Sequence, residues 1–339
     1  MVRTVRLLFW NTFLLEVLPI DTPFGRRAVH RKPAVAARSG EIGRAVAGRY
    51  DVVALAEAFD SAEQERIAEA WAGAAGSPTP RTAVGPDRAD GPLAKSSGLF
   101  TLSVLPVRRV ERHTFENRGS RRHDADAHAA KGVLLVEIDP GADGRSIEVY
   151  STHLAFGGDL LPRGRGTQAA AVRALRQAQA EELAAFVART HSPGAVPLVC
   201  GDFNISARDP GEADPDGPYE ALVATMATAG VTDLWAAAGG GYGYTCDLLK
   251  RGRGICPFDP ADPDFAFESA ECPDDFGTDR LGQRIDYWFG PPKHSWDEVG
   301  VVDFRIRRRA FPRVPGAESF DELGFMSDHV ALHLEVTLR

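Results

Sequence analysis

Short apolar runs alternate along this 339-residue chain with longer stretches in which apolar residues recur at helical spacing. The runs predict strands and the stretches predict helices, because side chains alternate faces along a strand and return to one face after each helical turn. The most regular helix is predicted over 167–190, where Leu175, Leu183 and Phe186 fall on one side. Strands are predicted over 5–10, 51–55, 98–105, 131–138, 147–152, 196–200, 284–289 and 330–338, and further helices over 38–48, 62–72 and 219–230.

Segments rich in polar residues, glycine and proline separate these elements. We predict a loop over 73–93, a polar segment between strands over 111–128, and a turn-rich insertion over 239–282. Several successive strands lack an intervening helix long enough for a parallel crossover, so we expect mostly antiparallel pairing. No internal repeat or long linker divides the chain. We therefore predict a single domain over 1–339, of the α/β (α+β) class, with the insertion inside it.

The net charge and the hydropathy of the chain limit the kinds of molecule that the protein is expected to bind. The net charge of −8 leaves no overall positive field to hold a nucleic-acid backbone, so stable nucleic-acid binding is not expected. Any phosphate must therefore be met by a local site. No apolar run approaches the roughly 20 residues that span a bilayer, so no transmembrane segment is expected. The first apolar run is broken at Asn11 and no signal-peptide cleavage site follows it.

The four cysteines are few for a chain of this length. Cys200 lies in an apolar strand and is predicted to be a buried thiol, whereas Cys246, Cys256 and Cys272 fall in the insertion. Their wide spacing, without a C-x-x-C pair, does not favour a structural zinc site. We expect a reduced, cytoplasmic protein, with secretion as the alternative.

The candidate chemistry lies where the predicted strands end. Strand ends converge on one edge of a sheet, so side chains that are far apart in the sequence can share one cleft. Carboxylates and amides dominate this set, and such hard oxygen donors suit Mg²⁺ or Mn²⁺ better than zinc. The residues are Asn11, Glu57, His153, Asp202, Asn204, Asp286, Asp328 and His329.

Some of these residues are candidates for binding the metal ion, and others are candidates for proton transfer. Glu57 is the leading candidate metal ligand, with Asn11 and Asp328 beside it; the alternative for Glu57 is an acid that complements a helix N-terminus. His329 is the candidate general base for an attacking water, since imidazole titrates near neutral pH. Asp286 would hold the other ring nitrogen and fix the tautomer. The alternative for His329 is a structural histidine with satisfied hydrogen bonds.

Asp202, Asn204 and His153 complete the predicted catalytic set. Asp202 and Asn204 flank a single residue, so on an extended segment they point the same way. The carboxylate would orient water or bind a second metal ion, and the amide would donate to a phosphoryl oxygen. The alternative for this pair is a turn after a strand. His153 would donate to the phosphate or assist the leaving oxygen, against the alternative of a histidine that caps a loop.

Six motifs carry these residues, in the order Trp-Asn11, Ala-Glu57, Ser-Thr-His153, Gly-Asp202-Phe-Asn204, Ile-Asp286-Tyr and Ser-Asp328-His329. Their order along nearly the whole chain resembles the endonuclease/exonuclease/phosphatase superfamily. The resemblance implies a four-layered α/β sandwich of two facing, mostly antiparallel β-sheets flanked by helices. It also implies hydrolysis of a phosphate ester by metal-activated water.

Within that superfamily, the chain is most similar to the sphingomyelinase C branch. The runs 11–15 and 50–60 resemble its first two motifs, and Asp126 with Lys131-Gly132 resembles the acid and the lysine of neutral sphingomyelinases. That similarity implies that Asp126 and Lys131 engage each other to regulate or complete the site, or that Lys131 neutralises the phosphate. A solvated lysine at the start of a strand is the alternative.

The leading prediction is a Mg²⁺-dependent phosphodiesterase of sphingomyelinase C type, which hydrolyses a phospholipid-like phosphodiester by in-line attack of activated water. The alternatives are a phosphomonoesterase or nuclease of the same fold and, from a different class, a catalytically silent binding module. A nuclease would need basic loops around the cleft, and the net charge of −8 does not favour it. A silent module would lack a metal ligand or the base, and the motifs contain both.

Overall fold

The computed structural model describes residues 2–14, 21–22, 25–26, 35–87, 95–120, 124–141, 145–157, 165–207, 217–240, 243, 245–247, 266–267, 282–309, 326–327 and 329–339. Asp328, Cys256 and Cys272 lie outside these residues, as does most of the predicted insertion. None of the helices described is both long and apolar enough to cross a bilayer.

Two β-sheets face each other in the described part of the chain. Strands are numbered in chain order, which differs from their spatial order within each sheet. In spatial order, the first sheet contains β13 (Ala266–Phe267), β15 (Val301–Arg309), β16 (Ala331–Leu338), β1 (Arg3–Asn11), β4 (Val52–Ala56), β6 (Phe100–Ser103) and β5 (Arg81–Val84). The second contains β11 (Thr232–Asp233), β14 (Gly282–Gly290), β10 (Val196–Ala207), β9 (Ile147–His153), β8 (Gly132–Ile138) and β7 (Val107–Thr114), with β12 (Cys246–Asp247) also beside β14. A separate hairpin joins β2 (Asp21–Thr22) to β3 (Gly25–Arg26).

Each sheet contains one parallel strand pair, and the other pairings between these strands are antiparallel. β1 runs parallel to β4, with Asn11 opposite Ala56. β9 runs parallel to β10, with His153 opposite Asp202. A parallel pair needs a crossover connection, and a helix lies between the two strands in both cases. The two parallel pairings end at Asn11 and at His153 with Asp202, and Glu57 follows β4 directly.

Helices α1 (Val35–Val46) and α2 (Ser61–Ala72) cover the outer face of the first sheet, and α3 (Arg165–Thr190) and α4 (Pro218–Thr228) cover that of the second, which completes four layers. The short helices α5 (Leu234–Ala237) and α6 (Trp296–Val299) pack against the cluster between the sheets, and 3₁₀ turns lie at Ala125–His128 and Lys293–Ser295. A Cβ at Gly43 of α1 would overlap the carbonyl of Ile67 in α2, so the close approach of these helices requires glycine. The predicted four-layered α/β sandwich of two facing, mostly antiparallel sheets is confirmed.

The alternation of side chains along β1 divides the core into an inner and an outer cluster. Phe9 points into the space between the sheets, where it joins Leu198 and Cys200 of β10. Trp10 points to the opposite face and joins the cluster beneath α1 and α2. Cys200 is fully buried and not disulfide-bonded, which confirms the predicted buried thiol.

Strands β5, β7 and β15 lie where no strand is predicted. β5 interrupts the predicted loop over 73–93, and β7 overlaps the predicted polar segment over 111–128. All three lie at or next to a sheet edge. Strands in that position are partly solvated, so polar side chains replace the apolar pattern that marks a buried strand.

β10 is longer than predicted and carries two site residues within it. The predicted strand ends at residue 200, whereas β10 continues through Asp202 and Asn204 to Ala207. Its pairing with β14 shifts register between Asp202 and Ala207, and Asn204 has φ 53°. Such irregularities re-aim side chains. The prediction that both residues occupy a simple extended segment is therefore wrong.

One hydrogen bond joins the edge strands of the two sheets. Nε of Arg112 in β7 donates to the carbonyl of Val84 in β5 at 2.7 Å. Arg109 in the same edge strand pairs with Glu111 at 2.9 Å and with Glu137 of β8 at 2.9 Å. The edge strand of the second sheet is thus lined by charged side chains, and one of them reaches the edge of the first.

A buried carboxylate ties β9 to the end of α3. Glu148 is fully buried, and its oxygens face Nη2 of Arg109 at 2.8 Å, the hydroxyl of Tyr150 at 3.1 Å, Nδ1 of His191 at 2.7 Å and the amide of Ser192 at 2.9 Å. Burial opposes ionisation, but the hydrogen bonds from His191 and Ser192 hold the pKa of Glu148 below its ordinary value.

Glu148→Gln should lower the free energy of unfolding by about 2–4 kcal/mol, because it leaves buried partners without their charged acceptor. Glu111 is the matched control, since it contacts the same Arg109 but its side chain is 39% exposed; Glu111→Gln should cost less than about 1 kcal/mol. Urea unfolding measures both. Because the folded pKa of Glu148 lies below the ordinary 4.5, its contribution is present above that pH and is lost as the pH falls through the folded value. Equal costs for the two variants would contradict the prediction.

Candidate active site

The carboxyl ends of the two parallel strand pairs meet at one edge of the sandwich. Asn11, the last residue of β1, donates its Nδ2 to Oδ2 of Asp202 in β10 at 2.9 Å. The same nitrogen lies 3.3 Å from Oε1 of Glu57, which follows β4. His153, the last residue of β9, has its Nε2 3.7 Å from the same Asp202 oxygen. The structure thus brings together four of the predicted site residues, two from each sheet.

Three residues at this edge have a left-handed backbone that is uncommon without glycine. The φ angle is 58° at Glu57, 53° at Asn204 and 52° at Phe13. Site side chains hold two of these segments, because Oδ1 of Asn11 accepts the Phe13 amide at 3.1 Å and Oδ1 of Asp202 accepts the Asn204 amide at 2.9 Å. Such conformations cost on the order of 1–3 kcal/mol each and cluster at functional sites.

A carboxylate–imidazole pair completes the cluster. Asp286 of β14 lies directly opposite Asp202 in the pairing with β10. Its Oδ2 is 2.8 Å from Nδ1 of His329. The other ring nitrogen of His329, Nε2, lies 3.8 Å from Oδ2 of Asp202. The imidazole is therefore placed between the two carboxylates.

Backbone contacts fix His329 next to β1. Nε1 of Trp10 donates to the carbonyl of His329 at 3.1 Å. Oγ of Ser327 accepts the His329 amide at 3.1 Å and donates to the carbonyl of Asn11 at 2.6 Å. The first and last site residues along the chain are thus held by one short segment. Asp328, which lies between Ser327 and His329, is outside the described residues.

The beginning of the predicted insertion contributes two residues that sequence reasoning did not assign to the site. Oγ1 of Thr245 accepts the amide of Asp286 at 3.1 Å, and its carbonyl accepts the amide of Val330 at 2.7 Å. Buried Cys246 forms a β-bridge with His329 and a hydrogen bond with its side chain. These residues reach the site only through the pairing of β12 with β14, and no spacing pattern in the sequence reveals that pairing.

A buried arginine in α1 is a further residue that was not predicted. Arg38 is 3% exposed, and its guanidinium donates to the carbonyls of Thr12, Phe13 and Met326 at 2.5–2.9 Å. It therefore joins the segment after β1 to the segment before His329. The sequence does contain an indication that Arg38 is buried. Arg38 occupies the same helix face as buried Ile42, where a charged side chain is unusual.

Lys131 and Asp126 engage each other beside the strand end that carries His153. Nζ of Lys131 lies 3.1 Å from Oδ1 of Asp126 and donates to the carbonyl of Leu154 at 2.8 Å. The side chain of Lys131 is 2% exposed, so the alternative of a solvated lysine is wrong. Burial alone would raise the pKa of Asp126, but the charge of Lys131 holds it below its ordinary value.

Burial and neighbouring charges separate the pKa values in the site. Burial raises the pKa of Asp202, and the charge of Asp286 adds to the effect. Burial and the charge of Lys131 lower the pKa of His153 to about 4. Burial acts against the charged form of His329 as well, but Asp286 outweighs it and raises the His329 pKa well above 6.5. The two histidines therefore differ in charge at neutral pH.

The donor set fits a divalent cation. Asp202, Asp286 and His329 each offer one atom, and these atoms lie within 4.8 Å of one another. Oδ1 of Asp286 is buried and finds no hydrogen-bond partner in the described part of the chain. Such an oxygen is costly unless a cation or donor satisfies it. With Glu57 alongside, oxygen donors dominate, as Mg²⁺ or Mn²⁺ prefers. Asn11 turns its Nδ2 toward the carboxylates, and its Oδ1 accepts the Phe13 amide.

A polar cluster at the strand ends of a four-layered α/β sandwich is the architecture of a known class of phosphoester hydrolases. The model of the Endonuclease/Exonuclease/phosphatase family matches residues 25–329 of this chain. The chain belongs to that family. No curated protein sequence matches it.

Solved structures with a similar fold cover nearly the whole chain. Beta toxin from Staphylococcus aureus is 15% identical with a TM-score of 0.60, covering 97% of this chain and 99% of that one. Sphingomyelinase C from Streptomyces griseocarneus is 18% identical with a TM-score of 0.59, covering 98% and 99%. Truncated TDP2 from Caenorhabditis elegans is 17% identical with a TM-score of 0.54, covering 98% and 97%. A mutant of the beta toxin with a TM-score of 0.55 has bound magnesium ions.

The two site histidines should titrate far apart in the metal-free protein. The imidazole of His153 should stay neutral down to a pH of about 4, whereas His329 should keep its proton through neutral pH. Because the folded pKa of His153 lies below the ordinary 6.5, its burial costs stability as the pH falls below that value. Long-range ¹H–¹⁵N NMR spectra of histidine-labelled protein in EDTA measure both, with His153→Asn and His329→Asn for assignment. If both rings titrated near pH 6.5, the prediction of widely separated pKa values would be wrong.

Proposed function

We propose that the protein is a metal-dependent phosphodiesterase of sphingomyelinase C type, which hydrolyses a phospholipid-like phosphodiester by in-line attack of activated water. The observation that carries the proposal is the contact of Asn11 with Asp202 across the two sheets, beside the Asp286–His329 pair. Family membership supports phosphoester chemistry. The likeness in fold to sphingomyelinase C supports the finer class.

His329 is the proposed general base. Its Nδ1 faces Asp286, so Nε2 is the atom left to take a proton from water. The water oxygen forms a bond to phosphorus, its proton passes to Nε2, and the P–O bond to the leaving alcohol breaks. The leaving oxygen takes a proton from solvent and His329 returns its proton to solvent, which restores the resting site. The products are one phosphomonoester and one alcohol.

Glu57, Asn11 and Asp328 are proposed to hold the cation, Mg²⁺ or Mn²⁺, with Asp202 nearby. The bound ion would stabilise negative charge on the phosphoryl oxygens and offset the buried carboxylates, which favours the neutral form of His329. The left-handed backbone at Glu57 supports this role over a helix-complementing acid, because it accompanies a carboxylate 3.3 Å from Asn11.

Asn204 and His153 are proposed to contact the phosphate. Nδ2 of Asn204 donates to the carbonyl of Leu154 at 3.1 Å, which leaves its second hydrogen for a phosphoryl oxygen. Neutral His153 would donate a hydrogen bond, without transferring its proton, from the nitrogen that faces Asp202 to the phosphate or the leaving oxygen. Lys131 is already satisfied by Asp126 and Leu154. We therefore assign the Asp126–Lys131 pair to completing the site, by fixing the strand end that carries His153.

Charge supports a lipid-like substrate over a nucleic acid. The net charge of −8 gives no general attraction for a polyanion. We also infer that residues 1–339 form a single catalytic domain, which the family match over residues 25–329 supports.

Purified protein with Mg²⁺ should release phosphocholine from sphingomyelin or phosphatidylcholine, and EDTA should abolish the release. Single-stranded DNA and 4-nitrophenyl phosphate, a simple phosphomonoester, should be hydrolysed far more slowly. Product analysis of the four substrates, with and without Mg²⁺, is the measurement. Activity on DNA alone would overturn the proposal in favour of a nuclease, and activity on the monoester alone would overturn it in favour of a phosphatase.

His329→Ala should lower kcat by roughly 10²–10⁴-fold, because the proton acceptor for the attacking water is lost. His294→Ala is the matched control, since His294 is exposed on the 3₁₀ turn before α6 and should keep normal turnover. Calorimetric titration with Mg²⁺ should give similar affinity for both variants. Near-normal turnover in His329→Ala would refute the assignment, and loss of Mg²⁺ affinity would make His329 a metal ligand instead.

A further inference from the structure

The loop after His153 is clamped by five polar side chains from separate parts of the fold. We call residues 154–157 the clamped loop. Its backbone groups hydrogen-bond to these side chains at 2.7–3.1 Å. Lys131 and Asn204 hold the Leu154 carbonyl, Gln179 the Ala155 amide, Arg176 the Ala155 and Phe156 carbonyls, and Asp126 the Gly157 amide.

The clamped loop lies directly against the candidate active site. The amide of Leu154 donates to the carbonyl of Asp202 at 2.9 Å, and its carbonyl accepts Nδ2 of Asn204. Arg176 of α3 also holds the loop, through the carbonyls of Ala155 and Phe156. No carboxylate pairs with Arg176 in the described part of the chain. The loop is therefore fixed relative to the reacting groups rather than to a distant surface.

Phe156 presents an exposed aromatic ring from this rigid backbone. Phe156 is 51% exposed. The other large apolar side chains with comparable exposure in the described residues are all aliphatic, and none lies in a loop that follows a site residue: Val2, Val84 and Val302. An exposed ring on a loop this strongly held is not explained by core packing. A fixed backbone does, however, reduce the entropy lost when such a ring meets a ligand.

We propose that Phe156 is a specificity-determining residue that contacts a hydrocarbon group of the substrate next to the scissile phosphate. The inference rests on the proposed phosphodiesterase function and names its substrate class: an amphiphilic phosphodiester with an apolar chain. A hydrocarbon is favoured over a stacked nucleobase because the net charge of −8 opposes a polyanion. Covering the exposed half of the ring corresponds to about a five- to tenfold gain in binding.

The test compares two esters that share one leaving group, 4-nitrophenyl methyl phosphate and 4-nitrophenyl octyl phosphate. For Phe156→Ala, the ratio of kcat/KM for the octyl ester to that for the methyl ester should fall about five- to tenfold, mostly through KM. Phe156→Leu, which keeps an apolar contact, should retain most of the ratio. Val302→Ala is the control, since Val302 is 43% exposed on β15, and its ratio should match the wild type.

A second measurement does not depend on turnover. Sedimentation with phosphatidylcholine vesicles in EDTA should show weaker binding by Phe156→Ala and wild-type binding by Val302→Ala. If the wild type hydrolyses neither ester, the proposed function fails, and the vesicle measurement alone decides the inference. An unchanged ester ratio with unchanged vesicle binding would overturn it. Selective loss of binding to a fluorescent single-stranded oligonucleotide would also overturn it, in favour of base stacking.

Discussion

The hydrogen bond from Nδ2 of Asn11 to Oδ2 of Asp202 joins the ends of the two sheets, and the candidate site depends on it. It forms because each sheet contains a parallel strand pair whose carboxyl ends point the same way. The register places Asn11 opposite Ala56, one residue before Glu57, and places His153 opposite Asp202. A shift of one residue in either pair would turn these side chains to the opposite face of the sheet.

The same arrangement concentrates negative charge in a buried place. Asp202 and Asp286 lie opposite each other on neighbouring strands and are almost fully buried. His329 lies between them, with its side chain held by Asp286 and its backbone held by the bridge to Cys246. Buried like charges are unfavourable unless protons or cations compensate them. The burial of two neighbouring carboxylates therefore explains three features of the site. These are the set of cation donors, the raised pKa of Asp202 and the raised pKa of His329.

Strand ends were the part of the site that the sequence could indicate. Asn11 and His153 each end a strand that a recognisable apolar run predicts. Asp286 instead lies within β14, so the expectation that it sits at a strand end is wrong. Thr245 has no such pattern, because it reaches Asp286 only after β12 pairs with β14. Long-range pairing of this kind leaves no periodic trace in a single sequence.

The sequence also did not determine how deeply individual polar side chains are buried. Lys131 fits a solvated lysine or a buried one equally well from its neighbours along the chain, and only the approach of Asp126 and the Leu154 carbonyl decides between them. Edge strands such as β7 were missed for a related reason. In β7, polar side chains occupy both faces of the strand, so its sequence pattern is that of a loop.

The charged edge strand β7 has a consequence for how copies of this protein meet one another. An unpaired strand edge is a template on which a second chain can add a strand, and this is a common start of aggregation. Arg109 and Glu111 line that edge, and Arg112 occupies a carbonyl group of the opposite edge strand, β5. Strand addition at these edges would desolvate charges and displace that contact. Both features disfavour these two edges as templates for an intermolecular sheet.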